Sequence, residues 1–210
     1  MPRTGPVTKD TTTIALGLAQ IRIGSSSSLI GQIQPKLAAA ASMGALANTK
    51  FSGNAEYFKL FSGYPLLEDA SYPLRESAMM EVGFKEITPK NFALARGLDP
   101  AGYTQAHYGQ IPLGTLSTPS YVRMESVYTY PDGTNTMTII FPRAQVTATI
   151  EMEFAEEEPA AVAVAIEAKR ADSEVTGGHV VWDAKPLGVV IWNDGSTLTT
   201  TSTTTTTTAA

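Results

Sequence analysis

The sequence predicts a mainly β protein, an antiparallel β-sandwich or barrel with one short flanking α-helix. Three observations indicate this class. Most of the chain alternates apolar and polar residues with period two, a tight-turn signal separates two of the alternating runs, and only one segment combines helical spacing with a start and a stop signal. At 210 residues the chain fits one domain, which we place at residues 1–195. A Thr-rich, low-complexity tail at 196–210 follows it, and we expect that tail to be flexible.

The clearest alternation is AQVTATIEMEF, residues 144–154. Its apolar positions are Val146, Ala148, Ile150, Met152 and Phe154. Its polar positions are Gln145, Thr147, Thr149, Glu151 and Glu153. Five alternations in succession predict a strand with one buried face and one wet face.

Other alternating runs raise the expected number of strands to between about seven and nine. In chain order these runs are LGLAQIRIG, EYFKLF, YVRMESVYTY, NTMTIIFP, PAAVAVAIEAK, a short strand in VTGGHVVW, and PLGVVIW. One face of the first run carries Ile21 and Ile23, and one face of PAAVAVAIEAK carries Val162, Val164 and Ile166. In YVRMESVYTY the polar face, opposite Val122, Met124, Tyr128 and Tyr130, carries Arg123, Glu125 and Thr129. The sequence PDGT supplies a positive-φ position at Asp132-Gly133, which predicts a hairpin between the third and fourth of these runs. The pair Gly177-Gly178 signals a further turn.

A change of period marks the segment RESAMMEVGFKEITPKNFALARGLDP, residues 75–100. The strand part, from Leu74 to Ile87, places one apolar set and one polar set on opposite faces. The apolar set is Leu74, Ala78, Met80, Val82 and Phe84, and the polar set is Arg75, Ser77, Glu81 and Lys85. After this strand the apolar residues recur at helical spacing, so the segment predicts a strand that runs directly into a helix.

The helix, at about residues 88–97, has recognisable ends. Thr88 is a suitable N-cap, and Pro89 suits the first helical position because its missing N–H has no partner there. Ile87 and Phe92 have the spacing of a hydrophobic staple, and Gly97 predicts the stop. A helix of about two turns does not persist alone in water, so we expect it to pack on the sheet.

One internal segment resists the period-two pattern. Residues 25–50 are small and polar without a stable period, and Leu37 to Ala47 predict at most a short helix because Gly44 weakens it. A connection of this length inside a compact domain is uncommon and is often functional or disordered.

Composition excludes several classes of function. The net charge is −5 and no basic run exceeds the pair Lys169-Arg170, which disfavours tight nucleic-acid binding. The chain has no cysteine, which excludes disulfides and thiol nucleophiles. No apolar run approaches the length of a membrane span, and the first residues lack the apolar core of a signal peptide.

No catalytic, cofactor-binding or metal-binding residue is predicted. A set of Ser173, His179 and Asp183 can be assembled on paper, but no nucleophile elbow accompanies it. The other histidine, His107, has no partner pattern, and HVVWD offers too few ligands for a metal. The tyrosines at 121, 128 and 130 form either a recognition surface or ordinary cross-strand pairs.

Taken in order, the elements resemble the tail tube (major tail) proteins of long-tailed, non-contractile bacteriophages. The resemblance covers about residues 11–192, and five stretches carry it: TTTIALGLAQIRIG, GALANTKFSGNAEYFKLFSGYPLLED, RESAMMEVGFKEITPKNFALARG, IIFPRAQVTATIEMEF and PLGVVIW. The strand that enters an ITP-x-N-x-A-L-A-x-G helix is the most specific of them.

The resemblance implies a β-sandwich whose subunits form homohexameric rings that stack into a hollow tube in the virion tail, assembled in the cytoplasm of the bacterial host. It implies a non-enzymatic structural protein without cofactors. Its partners would be further copies of itself and the tape measure, tail terminator and tail tip proteins, and phage DNA would pass through without tight binding. Residues 25–70 would include the long loop that joins subunits.

In such a tube a polar strand face would line the wet lumen. The candidates are Ser77, Glu81, Gln145, Thr147, Thr149, Glu151 and Glu153, although the same faces suit an outer surface equally well. An alternative function is a β-sandwich binding module, such as a virion decoration or carbohydrate-binding protein that uses the tyrosines of the hairpin.

Overall fold

The computed structural model describes residues 17–103, 109–114, 118–147, 150, 152 and 160–193. Seven strands lie in this part of the chain: β1 (Gln20–Ser25), β2 (Leu46–Ser62), β3 (Leu67–Phe84), β4 (Val122–Thr129), β5 (Thr136–Val146), β6 (Val162–Ala168) and β7 (Val189–Asn193). Two α-helices accompany them, α1 (Ser26–Leu29) and α2 (Pro89–Ala95). Short 3-10 turns lie at Ala39–Ala41, Pro100–Gly102 and Val180–Trp182.

The strands form one antiparallel sheet in the order β1-β4-β5-β6-β3-β2, with β7 also paired to β5. Strand β5 is the branch point, because one of its edges pairs with β4 while the other pairs first with β7 and then with β6. The prediction of a mainly β, antiparallel fold is confirmed.

The main core lies on the inner face of the sheet. The alternation of β1, β3 and β6 accounts for it, because alternate side chains point to the same face of a strand. These inward residues are Ile21, Ile23, Met80, Val82, Phe84, Val162, Val164 and Ile166, all less than 5% exposed. The predicted inward sets of these three strands are therefore confirmed, except at Leu74, which is 61% exposed because it lies beyond the body of the sheet.

A smaller second core lies on the opposite face and explains why β4 and β5 are buried on both sides. Ile140, Ala171 and Trp182 are fully buried there, and Ile30 and Ile33 pack against them from outside the sheet. The segments that supply this layer are residues 26–41 and 171–188.

The predicted helix is confirmed as α2. The Thr88 side chain accepts a hydrogen bond from the N–H of Asn91 (3.2 Å). At the other end Gly97 has φ +72°, the left-handed conformation that glycine adopts without a steric cost. The N–H groups of Gly97 and Leu98 donate to two carbonyls of the last turn (2.8 and 2.9 Å), which is the Schellman arrangement.

The helix closes the inner face of the sheet. Leu94 and Ala95 belong to the main core, so α2 is held by the burial that the sequence predicted. Ile87 is 43% exposed and Phe92 is half-buried, and their contact as a staple stays a prediction.

The predicted strand at 144–154 is wrong in its bounds. The runs NTMTIIFP and AQV form a single strand, β5, which continues through Pro142 and ends at Val146. Pro142 fits because a bulge lies there: Met124 opposes Phe141 whereas Val122 opposes Ala144. An extra residue at a bulge needs no ladder partner, so the missing N–H of proline costs little.

Two local predictions are also wrong. VTGGHVVW contains the 3-10 turn Val180–Trp182 instead of a strand, because Trp182 turns inward to the second core. Leu37 to Ala47 form no α-helix. The chain makes a 3-10 turn at Ala39–Ala41 and enters β2 at Leu46.

Candidate interaction surface

The hairpin of β2 and β3 is the most prominent surface feature of the described chain. Residues 25–70, expected to include a long loop, in fact contain β2 and the start of β3, and EYFKLF is confirmed as part of β2. Sequence reasoning missed the length of the hairpin, although SGYP between two apolar runs is a turn signal.

Only the base of this hairpin belongs to the sheet. Strand β6 pairs with β3 from Met79 to Phe84, whereas β2 pairs with β3 as far as the Ser62–Leu67 pair. Between Ala78 and Leu67 the ribbon therefore has two strands, and no other described strand lies beside it. The eleven steps from Leu67 to Ala78, at about 3.3 Å each, give a projection of roughly 36 Å.

The distal part of the ribbon presents an apolar outer face, which we call the apolar patch. Its members follow from the register, since directly paired residues share a face. Phe58 pairs with Tyr72 and Leu60 with Ala70, and Leu67 follows opposite Ser62. Phe58, Leu60, Leu67 and Tyr72 are 53%, 42%, 65% and 54% exposed.

Outside the apolar patch, other parts of the hairpin also expose large apolar side chains. Ten of the sixteen large hydrophobic residues that are exposed in the described chain lie between residues 46 and 84. Exposed apolar patches of this kind mark interaction surfaces on soluble proteins.

Polar pairs occupy the same outer face nearer the base. Lys50 pairs with Glu81 (3.1 Å), and Arg75 pairs with Glu56. Ser77 is exposed in the same row. The structure thus brings Ser77 and Glu81 together on one accessible face, as the alternation predicted.

On the other face of the ribbon, Glu68 links the two strands near the tip. Its carboxylate accepts hydrogen bonds from the Ser71 hydroxyl (2.6 Å) and from Lys59 Nζ (2.9 Å). These bonds, the Ser71 bond first, lower the pKa of Glu68, because they favour the charged form.

The remaining lumen candidates do not form one surface with these. Gln145 is buried at 8% exposure and donates its amide N–H to the Pro119 carbonyl (2.6 Å), so the prediction of a wet position is wrong for it. Thr147 is exposed just beyond β5. The pKa of Glu167 is lowered mainly by a hydrogen bond from Lys169 and to a lesser extent by one from the Thr147 hydroxyl. Thr149, Glu151 and Glu153 lie outside the described residues.

A buried ion pair lies on the outer face of β4. Arg123 donates to Glu125 (Nε to Oε1, 2.8 Å), and both side chains are fully buried. We expected these two residues on a polar face, which is their position in the strand, but residues 26–41 cover that face. We call this covering segment the strap.

The ion pair binds the backbone of the strap. Arg123 donates to three strap carbonyls, those of Leu29 (3.0 Å), Gln32 (2.7 Å) and Gln34 (2.9 Å). The Glu125 carboxylate accepts from the N–H groups of Lys36 (3.0 Å) and Leu37 (3.0 Å). The indole N–H of Trp182 donates to the Ile30 carbonyl. A segment without periodicity is thus ordered by side chains that lie far away in the sequence.

Asp183 and His179, which the sequence offered as a possible catalytic set with Ser173, accept hydrogen bonds from backbone N–H groups. Asp183 accepts a hydrogen bond from the Ser173 N–H (2.8 Å), which lowers its pKa. His179 accepts from the Val181 N–H through Nδ1 (3.2 Å). His107 lies outside the described residues. Within the described ranges, no group of three or more His, Asp or Glu side chains has an arrangement that would hold a metal ion.

The tyrosines that could have formed a recognition surface contact other residues of the sheet. Tyr128 is 5% exposed and makes an edge contact with Tyr130 at 5.0 Å between ring centroids. Arg143 stacks on the Tyr121 ring, 3.7 Å from its centroid. No described helix is long and apolar enough to span a membrane.

Comparison with known proteins gives distant structural likenesses to solved chains. No protein-family model matches the chain, and no curated protein matches it. A chain in a structure described as the tail of an empty GTA particle, computed with helical refinement and C6 symmetry, is similar over 72% of this chain and 90% of its own length. The identity is 12% and the TM-score 0.36, so the likeness is too distant to decide the function.

Proposed function

We propose that the chain is a tail tube subunit of a long-tailed bacteriophage. In this role it is a structural protein without catalytic activity, located in the virion tail. It assembles in the host cytoplasm into hexameric rings that stack into the conduit for DNA ejection. The sequence resemblance motivates the proposal, and the β2–β3 hairpin is the observation that carries it.

The hairpin supports self-assembly because an isolated two-stranded ribbon is marginally stable in water. Here about 36 Å of ribbon lacks a third strand, and its outer face exposes Phe58 and Tyr72 to more than half. For two aromatic side chains of roughly 200 Å² each, that exposure amounts to about 200 Å². Burial against a neighbouring subunit removes this surface from water and gives the ribbon the packing that it lacks in the single chain.

The open edges of the sheet support the same role. Among the described strands, β2 pairs with β3 alone and β7 with β5 alone. Unpaired edges are templates for further strands, and closure into a ring removes this liability.

The polar part of the outer hairpin face suits the lumen of a tube. Its two cations, Lys50 and Arg75, are each matched by a carboxylate. Phosphate contacts to unpaired Lys and Arg would add affinity and retard DNA. In this proposal Ser77 and Glu81 line the conduit. Assembled tubes of the chain should not retain DNA at physiological salt, and Glu81→Lys should introduce salt-sensitive retention.

Assembly is tested by negative-stain microscopy and light scattering of the purified chain. We expect rings or hollow tubes from the unaltered protein and monomers from the double variant Phe58→Ser, Tyr72→Ser. The matched control is Leu113→Ser with Val180→Ser, which removes exposed apolar residues (74% and 66%) away from the hairpin. It should assemble normally.

Circular dichroism of each variant verifies that the sheet is intact. An unaltered chain that stays monomeric across a wide concentration range, alone and with other tail proteins, would contradict the proposal. Normal assembly of the Phe58→Ser, Tyr72→Ser variant would show that the outer face of the hairpin is not needed for self-assembly.

A further inference from the structure

A small apolar cavity lies where the hairpin leaves the body of the sheet. Its volume is about 170 Å³, and its lining includes Phe51, Glu76, Ala78, Phe141, Leu187 and Val190. Phe141 also belongs to the main core. Phe141 is itself only 2% exposed, so the cavity lies directly beside the main core.

The dimensions of the cavity select its occupant. An apolar cavity of about 150 Å³ accommodates a benzene ring, so this one suits a single aromatic side chain. Glu76 is exposed and offers a carboxylate acceptor beside the apolar floor. A phenol, which combines an apolar ring with a hydrogen-bond donor, matches both features.

Such a phenol stands at the opposite end of the same hairpin. Tyr64, in the turn between β2 and β3, is 104% exposed, the highest value among the exposed large hydrophobic residues of the described chain. A fully exposed aromatic residue at a loop tip has its whole ring available for burial in a partner.

The tip cannot reach the cavity of its own chain. The cavity is lined by Glu76 and Ala78 at the base of the ribbon, and the paired strands between base and tip hold the two about 36 Å apart. A Tyr64 ring that fills the cavity therefore comes from a second copy.

We propose that Tyr64 of one copy inserts its ring into the cavity of the next copy and donates its hydroxyl hydrogen to Glu76 there. Tip and cavity are different surfaces of one chain, so the contact is head-to-tail and each copy both gives and receives a ring. Contacts of this type generate closed rings or helical filaments. This inference rests on the proposed function, because both require the chain to associate with itself, and it adds the contact by which the copies join.

Because the chain contains no cysteine, the contact is testable by pairwise cysteine cross-linking of full-length protein with Tyr64 and Glu76 left in place. Chains with Leu66→Cys, at the tip, are mixed with chains with Lys185→Cys, two residues from the cavity-lining Leu187, and treated with a short bis-maleimide. We expect a cross-linked dimer from the mixture, because the contact brings the tip of one copy to the cavity of the next. A mixture of Leu66→Cys with Leu113→Cys, exposed away from the cavity, should give no such band.

A second measurement separates the ring from the hydroxyl. Tyr64→Ala should raise the concentration for half-maximal assembly by about tenfold or more, as expected for a buried aromatic anchor. Tyr64→Phe should have a smaller effect, and Leu66→Ala, at the same tip, should have almost none.

The outcomes distinguish this inference from the proposed function. Rings or tubes that form without a tip-to-cavity cross-link overturn the tip-in-cavity contact and leave the tube role standing. A specific tip-to-cavity cross-link in a species that makes neither rings nor tubes supports the contact and contradicts the tube. Equal effects of Tyr64→Ala and Leu66→Ala also overturn the contact.

Discussion

Replacing Arg123 by methionine should destabilise the protein by about 4 kcal/mol, mainly by releasing the strap. The substitution removes the ion pair with Glu125 and three hydrogen bonds to strap carbonyls. Four such bonds at about 1 kcal/mol net each give about 4 kcal/mol. Breaking a buried pair and leaving one charge unpaired costs about 3–5 kcal/mol by an independent route. The two figures agree, and they are a large part of the roughly 5–15 kcal/mol stability of a typical domain.

The double variant Arg123→Met, Glu125→Leu tests whether the pair acts as a unit. Each single variant leaves an uncompensated charge at a fully buried position, whereas the double variant leaves none. We therefore expect the double variant to cost about 4–5 kcal/mol, for the lost strap hydrogen bonds, well below the sum of the singles at about 8 kcal/mol. The coupling free energy would be about 3–4 kcal/mol.

Tryptophan fluorescence reports the release of the strap directly, because the Trp182 indole donates a hydrogen bond to the Ile30 carbonyl of the strap. With Trp192, which is 64% exposed, replaced by phenylalanine, Trp182 is the only fluorophore of its kind. Urea unfolding gives the stability, and limited proteolysis shows whether residues 26–41 open first. Single variants that cost less than about 1 kcal/mol, with the strap still protected, would refute this account of the ion pair.

Three further predictions concern the helix and one loop. Gly97→Ala should cost about 1–3 kcal/mol in thermal unfolding, because φ is +72° and the new methyl group would lie 3.0 Å from two neighbouring atoms; Gly102→Ala, with open space around it, is the control and should be near neutral. Thr88→Ala should cost about 1 kcal/mol through the lost N-cap, and a change within error would argue against the cap. The Asp183 carboxyl should titrate below its ordinary pKa in an NMR titration, since the Ser173 N–H stabilises the charged form. Its contribution to stability is present above the unfolded pKa and is lost as pH falls through the folded pKa; an unshifted titration would contradict this.

The sequence by itself determined the class of fold, the inward residues of β1, β3 and β6, the 132–133 turn and the capped helix. These features depend on local rules: side chains alternate along a strand, and Thr88 and Gly97 act on backbone groups within a few residues of themselves. Such rules operate wherever the pattern occurs, so a single sequence is enough to apply them.

Only the tertiary structure decided which polar residues are buried and which apolar residues are exposed. Arg123, Glu125 and Gln145 read as wet positions, yet the strap and the Pro119 segment cover them. Leu74, in contrast, follows the core pattern but is exposed, because β6 pairs only with the base of the hairpin. Burial depends on which distant segment lies over a face, and periodicity within one strand carries no information about that.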